Sequence, residues 1–251
     1  MLLRHDDDGV LAIGQPSHAW LCGQLAGAWG NQDFGAVEPL EEVRTAAEQH
    51  DAGWRNLDLE PTFNPETGLP HSFLEMPLDV HLRLWTEGPT SLLSQSRYVA
   101  LLVSLHGWRL YERRDLQKLP VDEAEAIKTF LRQQSAFQTD LFGVLGPDPA
   151  QLERNSLLIW TWDYLSLALC LNWTPATAKR APAAQDQVDL TLQIPRPGVA
   201  RLDPWPFASD QLTVRAEGRR LARRFGDEAE MLRAFADAPW ETLELRLEPV
   251  G

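Results

Sequence analysis

The sequence lacks three features that would place it in common protein classes: a basic surface, paired cysteines and a long apolar run. Its 23 Lys and Arg residues are outnumbered by 36 Asp and Glu residues, which gives a net charge of −13. Such a balance disfavours binding to the nucleic-acid backbone and to anionic membranes, because both attract basic surfaces. We therefore predict neither nucleic acid nor a membrane as a partner.

Only two cysteines are present, Cys22 and Cys170, and their spacing suits no metal-binding motif. We expect both thiols to be free and buried. The first ten residues contain no apolar core of the kind that a signal peptide requires. The most apolar window, residues 157–173, includes Asp163 and is too short and too polar to span a bilayer. These absences together predict a cytoplasmic protein.

Helical patterns occupy the first two thirds of the chain. Pro16 and Ser17 open a first helix, and a second runs from Leu40 to about Asp51. A proline-rich loop over residues 52–80 separates them from four further helices, which begin near residues 78, 92, 122 and 155. The last of these is apolar nearly all round, so we expect the other helices to bury it.

The pattern changes after Thr174. A linker-like stretch is followed by segments of alternating apolar and polar residues, of which residues 188–194 are the clearest. A turn at Glu217–Gly218 is expected to join two of the strands. We predict a mainly α fold, with a helical domain and a short N-terminal arm at residues 1–174 and a small antiparallel β subdomain at residues 175–251.

Two acidic positions indicate a metal site. His50 and Asp51 stand together where the second helix should end, and an imidazole beside a carboxylate suits a divalent metal ion. Asp163 is the only ionisable acid in the apolar helix, where an unpaired carboxylate would cost several kcal/mol. A metal held by His50 and Asp51 would offset that cost.

The order of these residues, with His18 on the first helix, resembles the HD-domain metal-dependent phosphohydrolases. The segments SHAWLCGQLA and AAEQHDAGW look like the two motifs of that family, and the resemblance covers roughly residues 15–173. It implies an HD-type helical bundle that binds one or two divalent ions, of which Fe, Mn, Zn, Mg and Ni are not distinguished. The segments EQHDAGW, NPETGLPHSFLEMP and LLVSLHG also look like an uncharacterised bacterial family known only as a domain of unknown function.

The resemblance to the HD-domain phosphohydrolases implies a metal-dependent phosphohydrolase acting on a small phosphorylated molecule or nucleotide. The implied metal ligands are His18, His50, Asp51, Asp163, His81 and His106. The residues expected to take part in catalysis are Asp51, Glu48 and His106. The residues expected to bind the substrate phosphate are Arg109, Arg83 and His81, because arginine binds oxyanions in a fork.

Three other interpretations remain open at this point. Some proteins with a similar ligand set use paired iron for oxygenation, and His81 and His106 would suit a di-iron site. The chain could instead be a non-catalytic metal-binding or sensing module, or the histidines could be packed and hydrogen-bonded without any metal. A homo-oligomer is compatible with the sequence.

Overall fold

A computed structural model describes residues 1–250, which form helices α1–α8 and strands β1–β9. The helices are α1 Gln15–Ala28, α2 Leu40–Gln49, α3 Arg55–Leu59, α4 Leu78–Ser91, α5 Arg97–Glu112, α6 Val121–Leu145, α7 Pro149–Leu171 and α8 Glu228–Asp237. The strands are β1 Leu2–Asp6, β2 Gly9–Ile13, β3 Phe63–Asn64, β4 Leu69–Pro70, β5 Ala176–Pro182, β6 Gln187–Arg196, β7 Val199–Asp203, β8 Leu212–Leu221 and β9 Trp240–Pro249.

Seven of the strands form one large curled sheet in the order β1-β2-β8-β9-β7-β6-β5. All neighbours are antiparallel except β7 and β9, which run parallel. The two strands of the N-terminal arm join this sheet because β2 pairs with β8, placing Val10 opposite Leu221. Strands from the two ends of the chain therefore share one sheet.

The predicted mainly α, HD-type bundle with a small β subdomain is wrong. The protein has a seven-stranded mixed sheet that curls into a half-barrel, together with the helices. The prediction failed because the pairing of β2 with β8 joins segments about 200 residues apart, and local sequence patterns do not reveal such long-range pairing. The proposed division at residue 174 stays a prediction, although the sheet takes strands from both sides of it.

Two local features of the β region also differ from expectation. The stretch after Thr174, predicted as a linker, contains strand β5, which pairs with β6 from Ala176 to Pro182. Residues Glu217 and Gly218, predicted as a turn, lie inside the continuous strand β8 and pair with Thr242 and Glu241 of β9. A glycine in a strand interior accompanies close packing here, since a Cβ at Gly218 would lie 2.8 Å from the carbonyl oxygen of Ala12.

Helices α1 and α7 lie between the sheet and helices α2 and α5, whereas α8 packs directly on β8. Helix α1 packs on α2, α7 and β8, whereas α7 packs on α1, α5 and strand β5. This position explains why α7 is apolar nearly all round, as the sequence predicted, and why Leu158, Ile159 and Trp162 are all fully buried. The helix begins at an Asp148 cap, whose carboxylate accepts a hydrogen bond from Gln151 N.

No helix in residues 1–250 combines the length and apolar character that a membrane crossing requires.

Candidate metal centre

Five ionisable side chains from four parts of the helical layer meet at the inner end of a cavity. His18 comes from α1, His50 and Asp51 from the end of α2, His106 from α5 and Asp163 from α7. Four of them are almost completely buried, and the side chain of Asp163 is 14% exposed. The structure thus brings together five of the six residues that the sequence predicted as metal ligands; the sixth is His81.

The end of α2 explains how His50 and Asp51 reach the same point. His50 still has helical dihedral angles, whereas Asp51 departs from them with φ −98° and ψ 24° and leads into a 3₁₀ turn at Ala52–Trp54. This turn lies against α4 so closely that a Cβ on Gly53 would approach the carbonyl oxygen of Leu84 to 2.3 Å. Glycine at position 53 therefore permits the packing that holds Asp51 in place.

His50 gives the clearest evidence that the cluster favours a cation. Its Nδ1 donates a hydrogen bond to the carbonyl oxygen of Ala47 at 2.9 Å, so in the neutral ring Nε2 carries the lone pair. This Nε2 is buried and has no hydrogen-bond partner. It faces Oδ2 of Asp51 at 3.4 Å and Oδ1 of Asp163 at 3.5 Å. A lone pair facing two carboxylates is repulsive unless a proton or a cation lies between them.

The spacing of these three atoms suits a metal ion. Nitrogen and oxygen ligands lie about 2.0–2.2 Å from ions such as zinc, so ligand atoms that share one ion are about 3–3.5 Å apart. The His50 distances fall in that range. A backbone carbonyl that fixes the second nitrogen is also the usual support of a metal-binding histidine. The donor set therefore fits a divalent ion.

His18 completes the cluster on the side of α1. Its Nε2 lies 2.6 Å from Oδ2 of Asp51, and its Nδ1 lies 2.8 Å from Oγ of Ser166 and 3.9 Å from Oδ1 of Asp163. Ser166 Oγ in turn donates to the carbonyl oxygen of Asp163. The His18 ring is thus fixed at both nitrogens, and it connects the two carboxylates.

The charges of the cluster stabilise one another. Burial acts to lower the pKa of His50, but the nearby carboxylates of Asp51 and Asp163 outweigh it and raise this pKa to about 9. Burial acts to raise the pKa of both carboxyl groups, and their histidine neighbours outweigh it, so both pKa values are lowered. In the metal-free protein a proton on His50 therefore takes the place that a cation would occupy.

Cys22 is a ligand candidate that sequence spacing did not indicate. Donor atoms of His18, Cys22, His50 and Asp163 all lie within 4.8 Å of one another, which makes them a possible metal-binding group. The thiol donates to Ser166 Oγ at 3.1 Å, and burial raises its pKa well above the ordinary value. The expectation that Cys22 and Cys170 are free and buried is confirmed.

His106 is the member of the cluster nearest the cavity wall formed by Trp85. Its Nε2 is 3.5 Å from Oδ2 of Asp163, and burial lowers its pKa, so the neutral ring can hold that oxygen through an N–H group. Trp85 packs on the ring with a centroid distance of 5.4 Å. This approach requires Gly107, because a Cβ there would lie 2.7 Å from the Trp85 ring.

The adjoining cavity has a volume of about 290 Å³, which suits a small ligand. Its inner end is formed by the ionisable cluster and its sides are mainly apolar. The side chains that line it beyond the cluster are Gln15, Trp54, Phe73, Leu74, Met76, Leu78, His81, Trp85, Leu110, Tyr111, Arg114 and Leu167. Five of these, Trp54, Phe73, Leu74, Met76 and Leu78, lie within residues 52–80, the range that the sequence predicted as a loop.

His81 and Arg114 lie further out along the cavity. The Nδ1 of His81 is hydrogen-bonded to the hydroxyl of Tyr111, and burial lowers the pKa of His81 to about 4. The Arg114 guanidinium lies over the Tyr111 ring at 4.7 Å. Arg114 could not be singled out from the sequence, because it follows Arg113 just after the end of α5, where charged residues usually face solvent. The proposed roles of His81 as ligand and phosphate contact stay predictions.

Three residues expected to take part in catalysis or binding lie outside the cavity. Glu48 pairs with Arg44 at 3.0 Å and packs on α1 at Gly23. Arg83 is exposed on α4, and Arg109 is bonded to Ser156 and Glu153 in a separate cleft. Short sequence spacing does not define which helix face borders the cavity, and the roles of Glu48, Arg83 and Arg109 stay predictions.

Comparison with known proteins identifies a family, but the description of that family names no activity. A family model described as "Protein of unknown function (DUF3891)" matches residues 1–223. No curated protein and no solved structure matches the chain. The resemblance to the HD-domain phosphohydrolases is wrong as a statement of family, because no HD-domain model matches and the curled mixed sheet differs from an HD bundle. The chain belongs to the DUF3891 family.

Proposed function

We propose that this DUF3891 protein binds a divalent metal ion at His18, His50, Asp51 and Asp163 and hydrolyses a small phosphate ester in the adjoining cavity. The observation that carries the proposal is the buried, unpartnered Nε2 of His50, which faces two carboxylate oxygens at 3.4 and 3.5 Å. A cation is the ligand that such a trio of atoms would bind most strongly.

We choose Asp51 rather than Cys22 as the fourth ligand. Oδ2 of Asp51 lies 3.4 Å from Nε2 of His50, at the spacing of two ligand atoms that share one ion, whereas the thiol of Cys22 is directed to Ser166 Oγ at 3.1 Å. The resulting set of two imidazoles and two carboxylates suits borderline ions such as Fe, Mn, Zn or Ni better than Ca. Mg also suits this donor set less well than Fe, Mn, Zn or Ni, because Mg prefers oxygen ligands and keeps several of its waters.

The chemistry is the attack of water on phosphorus. The water oxygen forms a new bond to phosphorus while the ester P–O bond breaks, which gives inorganic phosphate and an alcohol. A bound divalent ion lowers the pKa of a water molecule and neutralises charge on the phosphoryl group. His106 would hold Oδ2 of Asp163, leaving Oδ1 for the ion, and the apolar walls exclude other water.

Metal analysis tests the first half of the proposal. Elemental analysis of purified wild-type protein should find about one divalent ion per chain, and the His50→Ala and Asp51→Ala variants should lose most of it. His5→Ala is the matched control, because it removes an exposed histidine on β1. Equal metal content in all four proteins would refute the metal site. A Cys22→Ser variant that loses the ion as fully as Asp51→Ala would instead support the thiol as a ligand.

Activity tests the second half. Wild-type protein loaded with each candidate ion should hydrolyse aryl and alkyl monophosphates, and Asp163→Asn should abolish turnover. A protein that retains its metal but hydrolyses no phosphoester would refute the hydrolase while leaving the metal centre standing. Oxygen uptake by the iron-loaded form without hydrolysis would favour the oxygenase alternative.

A further inference from the structure

The far end of the cavity carries a cation, and its position relative to the metal cluster is defined by a row of rings in edge-to-face or tilted contact. From His106 the row passes to Trp85 at a centroid distance of 5.4 Å, to His81 at 6.2 Å and to Tyr111 at 5.8 Å. The guanidinium of Arg114 lies over the last ring. Arg114 is therefore at the opposite end of the row from the side chains that face Asp163.

Arg114 has no ionic partner of its own in the described part of the chain. No carboxylate in residues 1–250 lies within 4.0 Å of its guanidinium, whereas the neighbouring Arg113 approaches Glu112 at 3.6 Å and Arg109 approaches Glu153. In a chain with 36 acidic residues, an arginine that borders a cavity without an acidic partner is available to an anion. It is also the only cationic Lys or Arg side chain among the described residues that line this cavity.

The space between the two ends favours a flat apolar body. Trp54 packs on His81 with a centroid distance of 5.3 Å, and Trp85 lies on the same wall. Leu74, at the mouth, leaves 73% of its surface exposed although it borders the cavity. The two Trp rings are already almost completely buried and shape the wall, so the apolar surface that a flat ligand would cover comes from Leu74.

We infer that the substrate carries a second anionic group, a carboxylate or a phosphate, which binds Arg114 at the end of the cavity opposite the scissile phosphate. The substrate class is then a small phosphate monoester with a second anionic group and a flat apolar segment between the two. This inference rests on the proposed function only in assigning the scissile group to the metal end.

Binding of phosphonates tests the inference without any turnover. Phenylphosphonate and 4-carboxyphenylphosphonate differ only in the second anionic group, and neither contains a hydrolysable ester. Calorimetry on the purified, metal-containing protein should give an affinity about tenfold or more higher for the carboxylated compound, because a charge-assisted hydrogen bond contributes about that factor.

Variants locate the effect. Arg114→Gln should abolish the preference for the carboxylated ligand while leaving the affinity for phenylphosphonate within about twofold. Arg114→Glu should reverse the charge preference, because a carboxylate then replaces the guanidinium. In this variant 4-(aminomethyl)phenylphosphonate should bind more tightly than the carboxylated compound. Arg113→Gln is the matched control and should behave as wild type, because Arg113 borders a different cleft.

The outcomes separate this inference from the proposed function. Equal affinity for both phosphonates in the wild type, no binding of either, or a preference that survives in Arg114→Gln would each overturn the inference. If the preference depends on Arg114 but no aryl phosphate is hydrolysed, the inference stands and the hydrolase fails. If phenyl phosphate is hydrolysed without any preference for the carboxylated ligand, the hydrolase stands and the inference fails.

Discussion

His18 and Asp51 are 33 positions apart, yet Nε2 of the imidazole lies 2.6 Å from Oδ2 of the carboxylate. The contact links α1 to the end of α2 in the interior of the protein. Ser166 on α7 fixes the other nitrogen of the same ring at 2.8 Å. One histidine therefore couples three helices, and its orientation depends on a hydroxyl that does not itself belong to the proposed donor set.

Removing that hydroxyl should weaken metal binding without unfolding the protein. In Ser166→Ala the buried Nδ1 of His18 loses its partner, so the ring is less firmly oriented toward the ion. Loss of such an outer partner lowers metal affinity by about 10–100-fold in other metal sites. Competition with a chelator of known affinity measures the change. Ser135→Ala, at an exposed position of α6, should leave the affinity unaltered, and an equal affinity in Ser166→Ala would contradict this role.

Metal-free protein should lose stability as the pH rises above neutrality. The pKa of His50 is raised from 6.5 to about 9 in the folded state by the carboxylates of Asp51 and Asp163, against the effect of burial. The folded protein thus binds the proton more tightly than the unfolded chain does. The resulting stability is fully present below about pH 6.5 and is lost as the pH rises through about 9.

Chemical denaturation of chelator-treated protein between pH 6 and pH 10 measures this effect. The free energy of unfolding of His50→Gln should not show this decline between pH 6 and pH 10. Metal should bind more tightly as the pH rises over the same range, because the ion displaces the His50 proton. A metal affinity that is constant from pH 6 to pH 9 would contradict the assignment of His50 as a ligand.

The site was more accessible to sequence reasoning than the fold was. Asp163 could be singled out because a lone acid in an apolar helix requires a partner, and His50–Asp51 because the two stand at a helix end. The sheet could not be predicted in the same way. Pairing of β2 with β8 is a long-range contact, and β5 lies in a stretch whose proline and alanine content is typical of a linker. Arg114 was missed because only the packed structure shows that the chain just after α5 borders the cavity.

His81 should contribute an opposite pH dependence. Burial lowers its pKa to about 4 in the folded protein, so between about pH 6.5 and pH 4 the unfolded chain binds more protons. The stability from the neutral ring is fully present above about pH 6.5 and is lost as the pH falls toward 4. His81→Asn should therefore lose less stability than wild type between pH 7.5 and pH 4.5.

Urea denaturation at the two pH values measures this difference. His71→Asn serves as the control, because His71 bonds to Thr62 and does not line the cavity. The prediction fails if the stability of His81→Asn declines by as much as that of the wild type.

The turn after Asp51 offers a test of how the backbone positions the metal centre. In Gly53→Ala the new Cβ would meet the carbonyl oxygen of Leu84 at 2.3 Å, so either the turn or α4 has to move. Because Asp51 begins this turn, the movement should displace its carboxylate. We expect a loss of about 1–3 kcal/mol in the free energy of unfolding, as for overpacked sites, together with weaker metal binding.

Gly143→Ala is the matched control, since its new Cβ would meet no atom within 4 Å on the exposed part of α6. It should raise the free energy of unfolding by up to about 1 kcal/mol, because alanine favours a helix more than glycine does. Metal affinity should remain that of the wild type. If Gly53→Ala lowers stability but retains full metal affinity, the turn stabilises α4 packing without positioning Asp51. Loss of both together would show that the packing against α4 holds the carboxylate in place.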